Sequence, residues 1–212
     1  MCTNFTPTRK ADWVKQSLGV DLPSAEYPAE TYPGYVAPIV VRGQESGRVA
    51  CGLARFGLIP AWAKDNKIGR HTFNARSETA STKPSYRSAW QHRQYGIVLL
   101  DDFFEPNYET GRAVKWRIKL ASVKPMGIAC LWDRWDDPAT GERVVSFSML
   151  TTNADQHHIM CQFHPAADEK RTPVVLAEQQ FGDWLSATSE QAAGFMNWSQ
   201  MPELVAAPAL AT

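Results

Sequence analysis

Six strand-like runs between residues 36 and 151 constrain the fold of this chain more than any other feature. Each run is rich in β-branched and aromatic residues, and turn signals such as Pro106-Asn107 separate them. The runs span residues 36–41, 49–58, 96–104, 114–121, 127–132 and 144–151. Because 212 residues without an internal repeat are of single-domain size, we expect one α+β domain with these strands at its core.

Short helices are predicted on both sides of the strand-rich region. Thr8 can cap an amphipathic helix that ends at Gly19, and further helices are expected after Thr152 and from Ala177 onward. The last ten residues carry one charge, on Glu203, and lack a periodic pattern. We therefore expect the domain to span residues 1–202 and residues 203–212 to form a loosely ordered tail.

The composition excludes a membrane protein and a disulfide scaffold. No apolar run approaches the length of a membrane span, and the first residues lack the apolar stretch of a signal peptide. The four cysteines, at positions 2, 51, 130 and 161, form no CxxC pair. These features predict a soluble cytoplasmic protein in a reducing compartment.

A net charge of zero conceals a strongly basic segment between residues 55 and 93. This segment has eight basic residues against two acidic ones, a net charge of +6. Five aromatic residues are interleaved with these bases, namely Phe56, Trp62, Phe73, Tyr86 and Trp90. Such a mixture is typical of surfaces that bind phosphates and stack unpaired bases, and it is equally compatible with aromatics in the core below a solvated charged face.

Cys2 directly follows the initiator methionine. Removal of Met1 would give a residue with a thiol and a free α-amine on neighbouring carbons, and this group condenses with aldehydes to a thiazolidine. The ordinary pKa values, roughly 8 for the amine and about 8.5 for the thiol, leave a reactive fraction of each near neutral pH. The alternative is an inert cysteine at a frayed terminus.

Two further sites of polar chemistry are suggested by their sequence context. Glu105 ends an apolar run, which places a carboxyl group where it can act as a general acid or base, or simply as a turn residue. His157, Cys161 and His164 would share one face of a helix, a weak zinc signal because three donors do not close a tetrahedral site. His164 precedes Pro165 and a polar loop, so we expect it near the surface, where a histidine can exchange protons.

Short motifs recur along the chain in a fixed order. They are Met-Cys at the start, YVAP at 35–38, GLIPAWA at 57–63, NARSET at 74–79, KP at 83–84, RSAW at 87–90, FFE at 103–105, LW at 131–132, TT at 151–152, His164 and PVVL at 173–176. This ordered set resembles the SRAP family, the SOS-response-associated, abasic-site-processing proteins. The resemblance covers about residues 2–186, and its most specific part is the penultimate cysteine together with the run NARSET.

The resemblance implies a mainly antiparallel, partly barrel-like β core flanked by helices, and a function in the DNA damage response. Family members bind single-stranded DNA at abasic sites and capture the ring-opened sugar through the N-terminal cysteine. The residues that correspond to the family's catalytic group are Cys2, Asn74, Glu105 and His164. Those that correspond to its DNA-binding groove, or that supply nearby basic charge, are Arg76, Pro38, Trp62, Lys64, Lys67 and Arg70.

The resemblance implies no cofactor, no metal, no membrane and no obligate protein partner. We expect a monomer that is nucleoid-associated when it is bound to DNA. This chain departs from the family at Thr3-Asn4, where Gly-Arg is usual, at Phe56, where Trp is usual, and in the longer link from His164 to Pro173. These departures would weaken DNA binding without removing a catalytic residue.

Three other functions remain compatible with the sequence. An N-terminal-nucleophile amidohydrolase would also use Cys2, and a cysteine peptidase would pair Cys2 with His164. A noncovalent single-strand-binding module would leave Cys2 unused. The reaction class therefore stays open between single-turnover crosslinking, an autoproteolytic hydrolase and a lyase-type activity.

Overall fold

All six predicted runs form strands in the computed structural model, which describes residues 2–209. The strands of this part of the chain are β1 (Asn4–Pro7), β2 (Val36–Arg42), β3 (Val49–Phe56), β4 (Asn74–Arg76), β5 (Tyr95–Asn107), β6 (Val114–Leu120), β7 (Met126–Asp136), β8 (Arg143–Asn153), β9 (Arg171–Pro173), β10 (Val175–Leu176) and β11 (Leu204–Pro208). Its α-helices are α1 (Ala11–Leu18), α2 (Ser77–Ala80), α3 (Arg87–Gln91), α4 (Phe181–Ser186) and α5 (Ser189–Ala192).

Five strands close into a barrel in the order β7, β8, β3, β2 and β5, and pairing of β5 with β7 completes the ring. Within this ring only β3 and β8 run parallel to each other. Strands β6 and β11 extend the sheet beyond β5, while β1, β4, β9 and β10 pair with individual barrel strands. The prediction of a mainly antiparallel, partly barrel-like core with flanking helices is confirmed.

The alternation of side chains along the barrel strands produces two apolar cores. One is built around stacked aromatic rings, with the centroids of Phe56 and Phe147 5.2 Å apart and Phe5 packed edge-on to Phe56. The other lies between the sheet and the helices, where Trp184 of α4 stacks on Tyr95. Burial of these large rings is the main source of stability, because apolar area removed from water stabilises the folded chain.

A close approach of two glycines fixes the long connection between β3 and β4. Gly57 has a φ of 110°, and a Cβ at this position would lie 2.2 Å from the carbonyl oxygen of Gly69. Only glycine accommodates both the dihedral angle and the contact. The connection carries Trp62 and ends at Asn74, so this contact helps to position residues of the predicted site.

Three expectations from the sequence are wrong in detail. Helix α1 ends at Gly19 as predicted, but it begins at Ala11, and the Thr8 hydroxyl accepts from the amide of Lys10 instead of capping it. The segment after Thr152 forms only one 3₁₀ turn, Met160–Gln162, because the ring of the buried His157 accepts hydrogen bonds from backbone amides there. Short helices do follow Ala177 as expected.

The predicted tail is the third difference. Residues 204–208 form strand β11, which pairs antiparallel with β6 over five positions from Leu204 opposite Leu120 to Pro208 opposite Trp116. Leu204 is buried and anchors the strand in the larger core. Sequence periodicity missed it because the strand is short and, apart from Leu204, its side chains are either small or exposed. The last residues of the predicted tail, 210–212, lie outside the described residues.

Candidate active site

Four segments that are distant in sequence supply the predicted catalytic residues. Cys2 precedes β1, Asn74 begins β4, Glu105 lies near the end of β5, and His164 lies in the loop before β9. Strand β1 pairs with the end of β5, with Asn4 opposite Phe104, and this register brings the N-terminus alongside Glu105. The sheet therefore brings together residues that the sequence separates by more than 150 positions.

The side chain of Cys2 is fully buried at the edge of the larger core. Its Sγ lies 3.5 Å from the carbonyl oxygen of Asn4. Burial raises the pKa of the Cys2 thiol far above its ordinary value, and the nearby charge of Glu105 raises that pKa further. Both effects favour the protonated thiol in the folded chain, whereas the reactive fraction expected from the sequence refers to Cys2 as the N-terminal residue after removal of Met1. Met1 lies outside the described residues.

The side chain of Asn74 is hydrogen-bonded directly to Cys2. Its Nδ2 donates to the carbonyl oxygen of Cys2 at 2.7 Å. Its Oδ1 is buried without a hydrogen-bond partner among the described residues. Pairing of β4 with β8, with Asn74 opposite Met149, fixes the backbone from which the side chain reaches Cys2. One end of the amide thus holds the N-terminal residue, and the other end is a buried acceptor that a ligand can use.

Glu105 and His164 form a close pair. His164 Nε2 lies 2.9 Å from Glu105 Oε2, and the Glu105 side chain is 1% exposed while that of His164 is 15% exposed. A carboxyl group at this distance fixes the orientation of the imidazole ring. The pair therefore joins a buried carboxyl group to a ring that solvent reaches, an arrangement suited to moving protons.

The backbone of His164 is fixed by the end of β5. Its amide donates to the carbonyl oxygen of Pro106 at 2.9 Å, and Phe163 forms a β-bridge with Asn107. His164 has a φ of 65°, which is uncommon for a residue with a side chain and is held here by those bonds. The insertion that follows His164 in the sequence consequently does not displace it from Glu105.

The helical face on which the weak zinc signal depends is not formed. No group of three His, Cys, Asp or Glu residues within residues 2–209 is arranged to hold a metal ion. His157 is buried, and its Nδ1 accepts from the amides of Ile159 and Met160 at 3.1 and 3.3 Å. Because the chain turns there instead of forming a helix, His157, Cys161 and His164 do not share a helical face.

Arg76 lies beside this site and is engaged in a network that sequence reasoning missed. Arg76 Nη1 and Arg171 Nη1 each lie 2.6 Å from a different carboxylate oxygen of Glu169. Arg171 is 2% exposed and also donates to Thr151 and Glu78. A cavity of about 340 Å³ adjoins this network and is lined by Arg76, His164, Ala167, Asp168, Glu169 and Arg171. An arginine placed immediately before the apolar run TPVVL was the sequence signal for a buried cation.

The other predicted DNA-binding residues divide into exposed and buried ones. Trp62 is 58% exposed, with its Nε1 donating to the carbonyl oxygen of Pro84, and Lys64, Lys67 and Arg70 are exposed on the same connection. Pro38 is instead buried within β2, opposite Leu53 of β3, and offers no wedge at the surface. A proline tolerates this position because β2 pairs with β5 only from Ile39 onward.

Only one of the five interleaved aromatic residues is available for stacking. Phe56, Tyr86 and Trp90 are buried, and Phe73 is half-buried against Phe56. The basic residues of this segment remain largely exposed. The interpretation of aromatics in the core below a charged face is therefore correct for all of them except Trp62. No helix among the described residues is long and apolar enough to cross a membrane.

Comparisons with known proteins agree with this fold. An abasic site processing protein of Bacillus subtilis strain 168, YoqW, is 33% identical over 193 residues, which cover 88% of this chain and 80% of that protein. The abasic site processing protein HMCES of Gallus gallus is 26% identical over 132 residues, covering 50% of this chain and 39% of that protein. A crystal structure of a protein from Bordetella bronchiseptica has a TM-score of 0.88 at 33% identity and covers 99% of this chain and 100% of its own.

A second crystal structure, of a protein from Bacteroides thetaiotaomicron, has a TM-score of 0.78 at 22% identity, covering 97% of this chain and 90% of its own, and shares the fold. The family model described as SOS response associated peptidase (SRAP) matches residues 1–209, which include all four residues of the candidate site. The chain therefore belongs to the SRAP family.

Proposed function

We propose that this protein processes abasic sites in DNA by capturing them covalently through Cys2 once Met1 has been removed. The observation that carries the proposal is the convergence of Cys2, Asn74 and the Glu105–His164 pair at one place in the fold. Family membership and the names of the bacterial and vertebrate relatives support the substrate class.

The covalent step follows from the chemistry of an N-terminal cysteine. The α-amine adds to the C1′ aldehyde of the ring-opened deoxyribose, and loss of one water molecule gives an imine. The thiol sulfur then adds to the imine carbon, while the thiol proton is transferred to the nitrogen. The product is a thiazolidine that joins protein and DNA, and the net reaction releases one water.

The surroundings of Cys2 favour the amine as the first nucleophile. Burial keeps the thiol protonated, so sulfur reacts only after the imine has formed and the thiol proton can be transferred. Glu105 raises the pKa of the thiol through its charge and is paired with His164, so this pair is placed to move protons during ring opening, dehydration and ring closure.

Asn74 and Arg76 bind the strand in this proposal. The buried Oδ1 of Asn74 accepts a hydrogen bond from a hydroxyl of the opened sugar, while its Nδ2 keeps Cys2 in place. Arg76, two residues further along the chain and half-exposed, binds a neighbouring phosphate. The exposed Trp62 and the basic residues near it extend the path of a single strand.

The buried thiol argues against the cysteine peptidase alternative. A catalytic cysteine of that class is an activated thiolate, whereas the pKa of Cys2 is raised. An amidohydrolase would use the same N-terminal amine as a base and would form no lasting adduct with an aldehyde. The two reactions therefore differ in an observable product.

The test is intact mass spectrometry after incubation with a single-stranded oligonucleotide that contains one abasic site. We expect a heat-stable adduct on a chain that lacks Met1, with the mass of protein plus DNA minus one water. Cys2→Ala should give only a heat-labile imine, and Cys161→Ala is the control because it removes a partly accessible thiol elsewhere in the chain. A stable adduct on Cys2→Ala, or none on the processed wild-type chain, contradicts the proposal.

A further inference from the structure

The two oxygens of the Glu169 carboxylate are divided between two arginines. Oε2 accepts from Arg76 and Oε1 accepts from Arg171, each at 2.6 Å. Asn153 Nδ2 also lies 3.2 Å from Oε1. Two guanidinium groups that donate to one anion form the arrangement that proteins also use to bind phosphate.

This ion pair neutralises the cationic side of the cavity next to His164. Arg76 and Arg171 line the cavity, and Asp168 and Glu169 line it as well, so its charged residues balance. Burial opposes ionisation of the Glu169 carboxyl, but hydrogen bonds from Asn153 and Arg171 and the charges of the two arginines hold its pKa below the ordinary value, so the carboxylate is charged at neutral pH. A DNA phosphate that enters the cavity therefore meets arginines already paired with an anion.

We propose that Glu169 occupies the place of a DNA phosphate in the free protein and is displaced when the strand binds. The inference rests on the proposed function, since it assigns a control element to the same site. Glu169 is thus an internal competitor, and it sets how tightly a strand must bind before Arg76 becomes available.

The location of Glu169 allows such a displacement. It lies in the connection between the Met160–Gln162 turn and β9, outside any helix or strand, and its side chain is 35% exposed. Arg171, by contrast, is fixed in β9 by Thr151 and Glu78. When the carboxylate leaves, the buried guanidinium keeps a donor directed at the vacated position, and an incoming phosphate oxygen restores its partner.

The experiment measures the affinity for an undamaged single strand and the rate of adduct formation with an abasic strand. In Glu169→Gln the amide oxygen can still accept from Arg171, but the negative charge is lost. We expect affinity to rise about threefold to tenfold. This is the range expected when each arginine loses one partly exposed ion pair that competes with the phosphate. At saturating DNA the adduct rate should equal that of the wild type, since Glu169 takes no part in the chemistry.

Two controls separate this effect from a general change in charge. Asp168→Asn removes the same charge from the same cavity wall, but within residues 2–209 Asp168 pairs with neither arginine, so we expect at most a twofold gain, consistent with an exposed charge. In an Arg76→Gln background the gain from Glu169→Gln should fall, because the two residues contact each other and their effects are not additive.

Equal gains from Glu169→Gln and Asp168→Asn, or a loss of affinity in Glu169→Gln, would overturn the inference. If Glu169→Gln does not fold, Glu169→Asp is the second variant: its shorter carboxylate cannot span both arginines, so affinity should again rise. The affinity for undamaged single-stranded DNA tests this inference, whereas formation of the Cys2-dependent adduct tests the proposed function. Failure of one is therefore distinguishable from failure of the other.

Discussion

Replacement of Gly57 by alanine tests whether the Gly57–Gly69 contact holds the connection that leads to Asn74. The new methyl group would lie 2.2 Å from the Gly69 oxygen and 2.9 Å from its carbonyl carbon, both of them backbone atoms. The amide of Gly57 also donates to the carbonyl oxygen of Phe147 at 2.9 Å, so the backbone cannot rotate freely to relieve the clash. The methyl group or the connection must move.

The expected cost has two parts. A residue with a side chain at positive φ costs about 1–2 kcal/mol, and overpacking against fixed atoms adds about 2–3 kcal/mol. The free energy of unfolding should therefore fall by roughly 3–5 kcal/mol, and since 1 kcal/mol corresponds to about 2–4 °C at this chain length, the melting temperature should fall by about 6–20 °C.

Gly141→Ala is the matched control. Gly141 lies in the turn between β7 and β8 with a φ of 73°, and a Cβ there would meet nothing within 4 Å. It should lose only the dihedral cost of about 1 kcal/mol, or about 2–4 °C. The assay is urea unfolding followed by circular dichroism, with a thermal scan beside it. Equal losses in the two variants would refute the argument that the close approach to Gly69 fixes this connection.

Two further predictions concern residues outside the candidate site. Leu204→Ala should lower the free energy of unfolding by about 2–4 kcal/mol because it empties a core position. Val205→Ala, on the exposed side of the same strand, should cost under about 1 kcal/mol. If urea unfolding shows similar small losses for both variants, residues 203–209 do not contribute to the core. Burial of His157 lowers its pKa, so the unfolded chain binds the proton first and stability should fall as pH drops below about 6.5. His157→Gln should flatten this pH dependence, and an unchanged profile would contradict the assignment.

Much of the barrel could be predicted from the sequence because each of its strands has a recognisable run of β-branched and aromatic residues. All six runs were located from their β-branched and aromatic content, since each strand has to bury at least one face. The short strands β1, β4 and β9 to β11 were missed. Each is no longer than five residues, and each forms because a neighbouring strand offers an unpaired edge, which no local pattern reports.

For the candidate site, the sequence supplied the candidate residues. A cysteine at position 2, the NARSET run and an acid at the end of an apolar strand carried the assignment to the family, and these are local features. Trp62 and the exposed lysines were also placed correctly at the surface. In contrast, the burial of Pro38 could not be read from the sequence, because it depends on what the folded sheet packs around that position.

Only the tertiary structure decided the state of these groups. The pKa of the Cys2 thiol is raised because folding removes it from water, and His164 meets Glu105 because the end of β5 holds the loop backbone. The partnership of Arg76 with Glu169 joins residues 93 positions apart in the sequence. Residue type and order set which chemistry the chain can perform, whereas burial and long-range contacts set charge and distance, because both depend on what the fold places around each group.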